Sequence, residues 1–488
     1  MILNNVVTSE IIKRKNQQMN KYLITALLLL SSLAFQTEAQ EVLTLKKARE
    51  MSLSQNEDLR MATMQVEKAS QQQAAARTLR LPSFSASGTG VYQDKDFEME
   101  MTLPTKVPDL LTGELVPNFL LNPVTEEPVI GPDGNPVFNM YAWLPLNISL
   151  SGAYLMGVTM EQPLYTGGKI SAGNNMADIG MSMAYESVSL QKINAILAAD
   201  NAYWMYISVS QQVKLAQQAV EMLEELVQLA ADSHEVGMVS RNDVLKAQVE
   251  YNNARLNLQK AQNGLELSRM ELCRVTGLPF DAHVVAADTI IKTSQPLFPG
   301  IDEINLRQRP EYRLLENNIR MSEQNIKMVR SDYLPAAGFQ AGYNHIGGLG
   351  FGDTEFSNTS LNIIGSVRIP LFQWGQGARK INAARIEKEV NELELEKAYK
   401  LMQLEAQQAR LNLQLAWELI QMNEEALEQA IENLRVSRDN YELGMETITD
   451  LLMAQTHWQK TYSELIESRA DFRLKETEWL KATGRLDK

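Results

Sequence analysis

The chain has 488 residues, of which 44% are hydrophobic and 22% charged, and its formal net charge is −14. This acidic balance, with no basic stripe and no interleaving of aromatic and basic residues, argues against a nucleic-acid-binding protein. The single cysteine, Cys273, excludes an intrachain disulfide. A chain of this length corresponds to two or three ordinary domains.

The N-terminal segment has the pattern of a secretory signal peptide. Basic residues at 13–15 precede an apolar run over 22–30, and a small-residue pattern ends at Ala39. We therefore expect residues 1–39 to be removed on export, with Met19 as a second candidate start. The alternative is a membrane anchor, but the run is shorter than the ~20 residues that a spanning helix needs. An exported chain of this kind is either a soluble periplasmic protein or an outer-membrane barrel.

The prolines divide the rest of the chain. All sixteen fall at 82–163, 279–335 or 370, so that 164–278 and 371–488 contain none. Because proline breaks helix interiors, these two proline-free segments are predicted to hold long helices.

The chain also repeats itself, which indicates an internal duplication. An offset of 207 matches, without a gap, Pro163 with Pro370, Gly168 with Gly375, Gly237 with Gly444, and Asp243 with Asp450. A second offset of 253 matches Leu81-Pro82 with Leu334-Pro335. The offsets differ by 46, so the first copy carries 46 extra residues, and their prolines predict a long irregular loop over about 93–145.

Each copy predicts the order helix, strand, loop, strand, long helix, glycine turn, helix. In the first copy the helices are expected at about 44–80, 171–235 and 240–276. At ~1.5 Å per residue the middle helix is roughly 95 Å long and the other two roughly 55 Å each. The predicted boundaries are 40–278 for the first repeat, 279–308 for a linker and 309–488 for the second repeat.

Four segments alternate between apolar and polar residues and are predicted to be strands, at 83–92, 154–162, 336–344 and 361–369. Strands of roughly ten residues with one apolar face are typical of membrane barrels, and also of an antiparallel sheet that covers a soluble core. Four strands cannot close a membrane barrel, since the smallest has about eight. If these strands span a membrane, the chain must therefore form a cyclic oligomer, because an open edge is not tolerated in lipid.

This layout resembles the TolC family of outer-membrane efflux proteins over essentially the whole mature chain. The resemblance is carried by Pro163-Leu164-Tyr165 and Pro370-Leu371-Phe372 before the long helices, the helix starts "NEDL" and "RPEY", the strand "YLPAAGFQAGY" and the two glycine turns. Family members usually have Asn-Pro-x-Leu at this helix start, and the second copy has Arg309-Pro310 there. In this chain Glu57 takes the place of that proline in the first copy.

The resemblance implies an α+β membrane protein that forms a homotrimer. Four strands from each chain would make a twelve-stranded β-barrel in the cell outer membrane, continued by a long α-helical coiled-coil barrel in the periplasm. The implied function is that of a channel in a tripartite multidrug efflux or type I secretion system. It would be a passive exit duct for substrates that an inner-membrane pump of the RND, ABC or MFS type and a periplasmic adaptor deliver. The alternative is a periplasmic coiled-coil scaffold or adaptor protein without a pore.

The sequence does not predict an enzyme, and it predicts no cofactor or metal site. Its four histidines are scattered over different elements, at His234, His283, His345 and His457. It has no HExxH, no Cys–His cluster, no nucleophile elbow and no glycine-rich phosphate loop. The transported substrate and the class of pump are left open.

The resemblance also implies two sets of site residues at the periplasmic entrance. The adaptor-docking tips of the helical hairpins would be Val236, Gly237, Met238, Leu443, Gly444 and Met445, with glycine allowing the positive φ of a helix end. The gate or selectivity candidates are Asp243, Tyr441, Glu446 and Asp450, and Asp450 is the first candidate for an acidic ring. The alternative is that the glycines only end helices and that the carboxylates are solvated charges at helix starts.

Two residues beside the second turn depart from the family's gate. Glu446 stands where well-known members have an arginine, and Met453 stands where they have a second acidic position. The bonding of a closed gate therefore cannot be copied from the family.

Overall fold

The computed structural model describes residues 41–94, 97–101, 106–139, 144–149, 152–296, 298, 304–351 and 354–486. The signal peptide predicted over 1–39 lies outside these residues, as do parts of the predicted loop and linker. No helix in the described part of the chain is both long enough and apolar enough to cross a membrane.

The chain divides into two compact units. The helical unit comprises Met1–Glu67, Ser182–Asn317 and Glu392–Lys488, and the sheet unit comprises Lys68–Met181 and Asn318–Asn391. Each unit draws on both sequence repeats. The two sequence repeats therefore do not correspond to the two compact units.

The described residues form seven α-helices. Their bounds are Leu45–Gln55 (α1), Glu57–Thr78 (α2), Lys169–Glu235 (α3), Arg241–Thr276 (α4), Pro310–Ser331 (α5), Gln376–Glu442 (α6) and Ile448–Ala482 (α7). The two proline-free segments thus hold a 67-residue helix each, followed by a turn and a return helix.

The helix predicted over 44–80 is wrong in one respect, because it breaks at Asn56. The backbone of Asn56 is extended, with φ −63° and ψ 122°, and its side-chain oxygen accepts a hydrogen bond from the Leu59 amide at 2.9 Å. Asparagine competes in this way for the amides of a following turn, so it ends one helix and begins the next.

The core of the helical unit lies where α3 and α4 pack on the N-terminal segment. Tyr203, Ile207 and Leu272 are almost fully buried there, together with Leu43 of a short parallel strand pair. The apolar positions of α3 recur at helical spacing, which places them on one face.

The described strands are Glu41–Leu43 (β1), Ser83–Val91 (β2), Phe97–Met101 (β3), Lys106–Pro108 (β4), Leu115–Pro117 (β5), Leu144–Ser149 (β6), Ala153–Thr166 (β7), Val284–Ala286 (β8), Ala336–Phe351 (β9) and Thr354–Arg368 (β10). The four predicted strands correspond to β2, β7, β9 and β10. They lie side by side in that order, and each neighbouring pair is antiparallel.

The register of the sheet repeats with the sequence. Ser83 of β2 faces Glu161 of β7, and their counterparts at offsets 253 and 207, Ala336 and Arg368, also face each other. The duplication seen in the sequence is therefore a duplication of strand pairing.

The segment predicted to be one irregular loop contains paired strands instead. β3 pairs with β6 and β4 pairs with β5, both antiparallel. The β4–β5 turn is closed by Asp109, whose side chain accepts hydrogen bonds from the Leu111 and Thr112 amides at 2.8 and 2.9 Å. Proline signals a loop because it lacks an N–H, but it is tolerated at strand edges and ends, as at Pro108 and Pro117.

Candidate functional site

The first glycine turn ends α3 with a Schellman motif. The Met238 amide donates to the Ser233 carbonyl at 2.8 Å, and the Gly237 amide donates to the His234 carbonyl at 3.0 Å. Gly237 has φ +80°, and a Cβ atom added to it would meet nothing within 4 Å. The left-handed backbone, rather than a lack of space, therefore explains the glycine.

The second glycine turn ends α6 with the same motif at the matching positions. The Met445 amide donates to the Asn440 carbonyl at 2.8 Å, and the Gly444 amide donates to the Tyr441 carbonyl at 3.0 Å. Gly444 has φ +72°. Each long helix thus reverses in one tight turn.

Apolar side chains project from both turns. Those of Val236, Met238, Leu443 and Met445 are between 65% and 72% exposed. Four large apolar groups at the ends of two neighbouring hairpins form a surface that burial against another molecule would stabilise. We call these four residues, with Gly237 and Gly444, the tip surface.

A capping box begins α4. The Ser240 hydroxyl accepts from the Asp243 amide at 3.3 Å, and one Asp243 carboxylate oxygen accepts from the Ser240 amide at 3.2 Å and from its hydroxyl at 2.7 Å. The hydrogen bond from the Ser240 hydroxyl, helped by nearby Lys246, lowers the pKa of Asp243. Asp243 is therefore ionised at neutral pH.

A second capping box begins α7 with Thr447 and Asp450. The Asp450 carboxylate accepts from the Thr447 hydroxyl at 2.6 Å and from its amide at 3.2 Å. These bonds lower the pKa of Asp450. Both acidic candidates thus have a structural task that accounts for their charge and position.

Tyr441 lies in the apolar cluster between the two hairpins, packed with Leu226 and Ile448, and is 8% exposed. Its hydroxyl has no hydrogen-bond partner within the described residues. Burial raises the pKa of Tyr441, and the charge of Asp243 raises it further. The fold therefore brings Tyr441 of one hairpin near Asp243 of the other, while the Asp243 carboxylate stays bonded in its own cap.

Glu446 is held within its own turn. One carboxylate oxygen accepts from the Asn440 side-chain amide at 3.0 Å, while the other is buried without a partner among the described residues. The carboxylate of Glu446 is thus held by Asn440 of the same hairpin.

Lys246 is a functional candidate that the sequence analysis did not single out. Its ammonium group lies 3.5 Å from the Asp243 carboxylate and donates to the Thr449 hydroxyl at 3.2 Å, so it links α4 to α7. The three-residue spacing from Asp243 is a readable sign of such a pair. At the matching place in the second copy stands Met453, which cannot form this link.

The helices behind the tips enclose two grooves. One, of about 730 Å³, lies at the starts of α4 and α7 and is lined by Leu245, Val249 and Met453. The other, of about 1180 Å³, lies between α3 and α6, with Leu226 and Gln455 among its lining residues. Apolar and charged side chains line both grooves.

Comparison with known proteins identifies the family. The model of the outer membrane efflux protein family matches residues 48–278 and 304–485, which cover both repeats. The chain therefore belongs to the outer membrane efflux protein family, as its resemblance predicted. This is a family of transport proteins rather than of enzymes.

Among its relatives is the probable efflux pump outer membrane protein TtgC of Pseudomonas putida, which is 22% identical over 303 residues. That alignment covers 60% of this chain and 61% of the relative. Outer membrane protein TolC of Vibrio cholerae is 21% identical over 306 residues, which are 60% of this chain and 68% of the relative. The chain thus spans about three-fifths of the first curated relatives.

Solved structures agree over a greater length. A membrane protein from Pseudomonas aeruginosa matches with a TM-score of 0.69 and 17% identity, over 90% of this chain and 93% of that one. The Campylobacter jejuni CmeC outer membrane channel matches with a TM-score of 0.66 and 16% identity, over 91% and 86%. The predicted α+β fold is confirmed.

Proposed function

We propose that this chain is the outer-membrane exit duct of an efflux system. Three copies would form a homotrimeric channel whose barrel is surrounded by outer-membrane lipid and whose helices lie in the periplasm. The match of the family to both repeats carries the proposal, and the names of relatives such as the toluene efflux pump outer membrane protein of Pseudomonas putida support it. Energy for transport would come from an inner-membrane pump of the RND, ABC or MFS type, with a periplasmic adaptor between pump and channel. The same duct would serve if the system were a type I secretion system.

Cell fractionation and conductance test this proposal. A channel is expected in the outer-membrane fraction as an oligomer that resists SDS until heated, and the purified oligomer should conduct ions across a planar bilayer. The alternative, a periplasmic scaffold without a pore, predicts release of the protein by osmotic shock and no conductance. That second result would overturn the proposal.

The tip surface is the proposed docking site for the periplasmic adaptor. Its apolar side chains are exposed. Because they occupy matching positions in the two sequence repeats, each hairpin would offer the same binding pattern at the channel mouth. Met238→Lys combined with Met445→Lys should weaken adaptor capture at least tenfold and leave conductance unchanged. Met422→Lys is a matched control, because Met422 is 65% exposed but lies in the body of α6. Equal loss of capture in the control would argue against the tip surface.

The gate and selectivity role is proposed for the polar residues beside the turns, namely Asp243, Tyr441, Glu446 and Asp450, with Asp450 as the acidic ring. Asp450→Asn keeps an oxygen that can accept from Thr447 but removes the charge. We expect the ratio of cation to anion permeability to fall in single-channel recordings. Asp439→Asn, on the flank of α6 beside Arg435, is the control. An unchanged ratio in Asp450→Asn would remove Asp450 from the ring.

A further inference from the structure

The four strands β2, β7, β9 and β10 carry few charged side chains. Three of their residues are Asp, Glu, Lys or Arg, namely Glu161 of β7 and Glu355 and Arg368 of β10. Glu161 and Arg368 are 207 positions apart, which is the repeat offset of this part of the chain. The duplicated backbone therefore carries a carboxylate in one copy and a guanidinium group at the matching position of the other.

Both charged groups lie on the polar face of the sheet. The flanking residues Met160 and Val367 belong to the apolar face, and successive residues of a strand point to opposite faces. A charged side chain on the lipid face of a barrel strand is strongly destabilising. If the proposed channel function holds, the polar face therefore lines the lumen, and Glu161 and Arg368 project into it.

Glu161 and Arg368 line one cavity of about 830 Å³, at the end of the sheet that precedes the long helices. Its polar lining includes Ser83, Gln340 and Ser366. Both charged side chains are exposed, and neither forms a hydrogen bond or an ion pair with another of the described residues. The cavity thus presents one open carboxylate and one open guanidinium group.

The two charged groups are too far apart to pair with each other. β9 lies between β7 and β10, and Glu161 faces Gln340 of β9 while Arg368 faces Ala336. Two strand spacings across the sheet and four residues along it separate the Cα atoms of Glu161 and Arg368 by roughly 16 Å. A glutamate and an arginine side chain cannot bridge that distance, so both charges stay available to a solute.

Strand pairing does not account for either charge. The residue paired with Glu161 on β2 is Ser83, and the matching pair has Ala336 beside Arg368, so both neighbours are small and uncharged. Glutamine at either position could keep the same strand pairing and the same polar face. The explanation must therefore lie in the cavity that the two charges share.

We propose that Glu161 and Arg368 form a charge-balanced ring in the lumen and are specificity-determining residues of the duct, an inference that rests on the proposed function. Because matching positions of the repeats have matching strand register, the two residues lie at the same level of a sheet closed about one axis. In three copies, three carboxylates and three guanidinium groups would alternate around the lumen. This ring has no net charge, so it admits solutes of either sign.

The charge-balanced ring differs from the hairpin tips in the sign of its matched residues. Asp243 and Asp450 also match at the offset of 207, but both are carboxylates. The tips would thus favour cations, whereas the ring would favour neither sign. Discrimination by charge would therefore rest with the tips, and the ring would pass what the tips admit.

The reach of the ring depends on salt. Removing one sign leaves three like charges. At 10 mM salt the Debye length is about 30 Å, longer than the roughly 16 Å between neighbouring positions, so the three charges act together on a passing ion. At 1 M salt the Debye length is about 3 Å, and the charges are screened from most of the lumen.

Single-channel recording in a KCl gradient near 10 mM tests the ring, with each variant recorded as the oligomer that resists SDS. Arg368→Gln should raise the ratio of cation to anion permeability at least about threefold, and Glu161→Gln should lower it by a similar factor. The double variant, whose ring is again without net charge, should return to the parent ratio. All four proteins should converge at 1 M salt, because the charges are then screened.

Two controls separate charge from packing. Arg368→Lys keeps the positive charge on a different side chain and should keep the parent ratio. Glu355→Gln removes a carboxylate from the opposite end of β10 and should change the ratio less than either ring variant. A changed ratio in Arg368→Lys, or an equally large change in Glu355→Gln, would contradict the ring.

Cysteine modification changes the charge of the ring in an assembled channel. The parent chain is a blank, because its single cysteine, Cys273, is buried. On Arg368→Cys, a methanethiosulfonate reagent forms a mixed disulfide and releases methanesulfinate. A reagent that carries a trimethylammonium group should return the permeability ratio to the parent value, and one that carries a sulfonate should raise the cation preference further.

The outcomes distinguish the ring from the proposed function. A conducting oligomer in which Arg368→Gln and Glu161→Gln leave the ratio unchanged at low salt, or shift it in the same direction, would overturn the ring and leave the channel standing. So would an Arg368→Cys channel that neither reagent changes. A monomer in the osmotic-shock fluid without conductance would overturn both.

Discussion

Tyr441→Phe removes the hydroxyl of Tyr441 and keeps its ring, so it tests whether this residue acts at the hairpin tips through packing or through a polar contact. The ring of Tyr441 is buried in the cluster that joins the two hairpins, whereas its hydroxyl lacks a partner in the described chain. An unsatisfied buried polar group costs about 1–3 kcal/mol, so its removal should stabilise the hairpin pair by about 1 kcal/mol. Opening of the tips should then become roughly fivefold rarer.

Native-state hydrogen exchange of the amides around Tyr441 measures this change, and single-channel recording measures the open probability. Tyr206→Phe is a control of opposite sign, because the Tyr206 hydroxyl donates to the Val284 carbonyl at 2.9 Å and its loss should cost about 1 kcal/mol. Faster exchange together with a higher open probability in Tyr441→Phe would refute the reasoning. It would mean that the hydroxyl finds a partner in the assembled channel, such as Asp243 released from its cap.

Three further substitutions and one pH series test other contacts, at the hairpin tips and in the helical core. Gly444→Ala should destabilise the second hairpin by about 1–2 kcal/mol in hydrogen exchange, because alanine must adopt a left-handed backbone there. Asp200→Ala removes a buried carboxylate bonded to an arginine and a threonine, and should lower the free energy of unfolding by about 3 kcal/mol in denaturant. Lys246→Met, which installs the residue of the second copy, should raise the cation to anion permeability ratio. The pKa of Asp243 is lowered on folding, so its capping contribution is complete above the unfolded pKa of ~3.9 and is lost as pH falls through the folded pKa. The protection of the amides near α4, taken relative to their unfolded exchange rate at each pH, should therefore be constant from pH 7 to 5.

The helices and sheet strands were predictable because each rests on a pattern that spans many residues. Two proline-free segments, each interrupted by a glycine turn, are enough to predict α3 with α4 and α6 with α7. The alternation in β2, β7, β9 and β10 is visible because one face of each strand is apolar. The two repeat offsets also carry the strand register from one repeat to the other. Shifting Ser83 by 253 and its partner Glu161 by 207 gives Ala336 and Arg368, which face each other as well.

Local hydrogen bonds explain what the sequence analysis missed. Asn56 breaks the first helix through one side-chain bond, and Asp109 closes a turn inside a segment that its prolines marked as a loop. Such bonds depend on one residue each, so no periodicity signals them. The capping boxes are different, because Ser240 with Asp243 and Thr447 with Asp450 have the three-residue spacing of a helix start, which the sequence displays directly.

Comparison of the two hairpin tips shows which residues need an explanation beyond the fold. Residues shared by both copies, such as the turn glycines and the capping carboxylates, occupy equivalent backbone and are explained by it. Positions that differ on the same backbone need another explanation, and they include Lys246 against Met453, Val239 against Glu446 and His234 against Tyr441. A capping carboxylate can still face the pore, as proposed for Asp450. Nevertheless, the properties that distinguish one half of the entrance from the other must come from unmatched positions, so a change of gating should be sought first at Lys246, Tyr441 and Glu446.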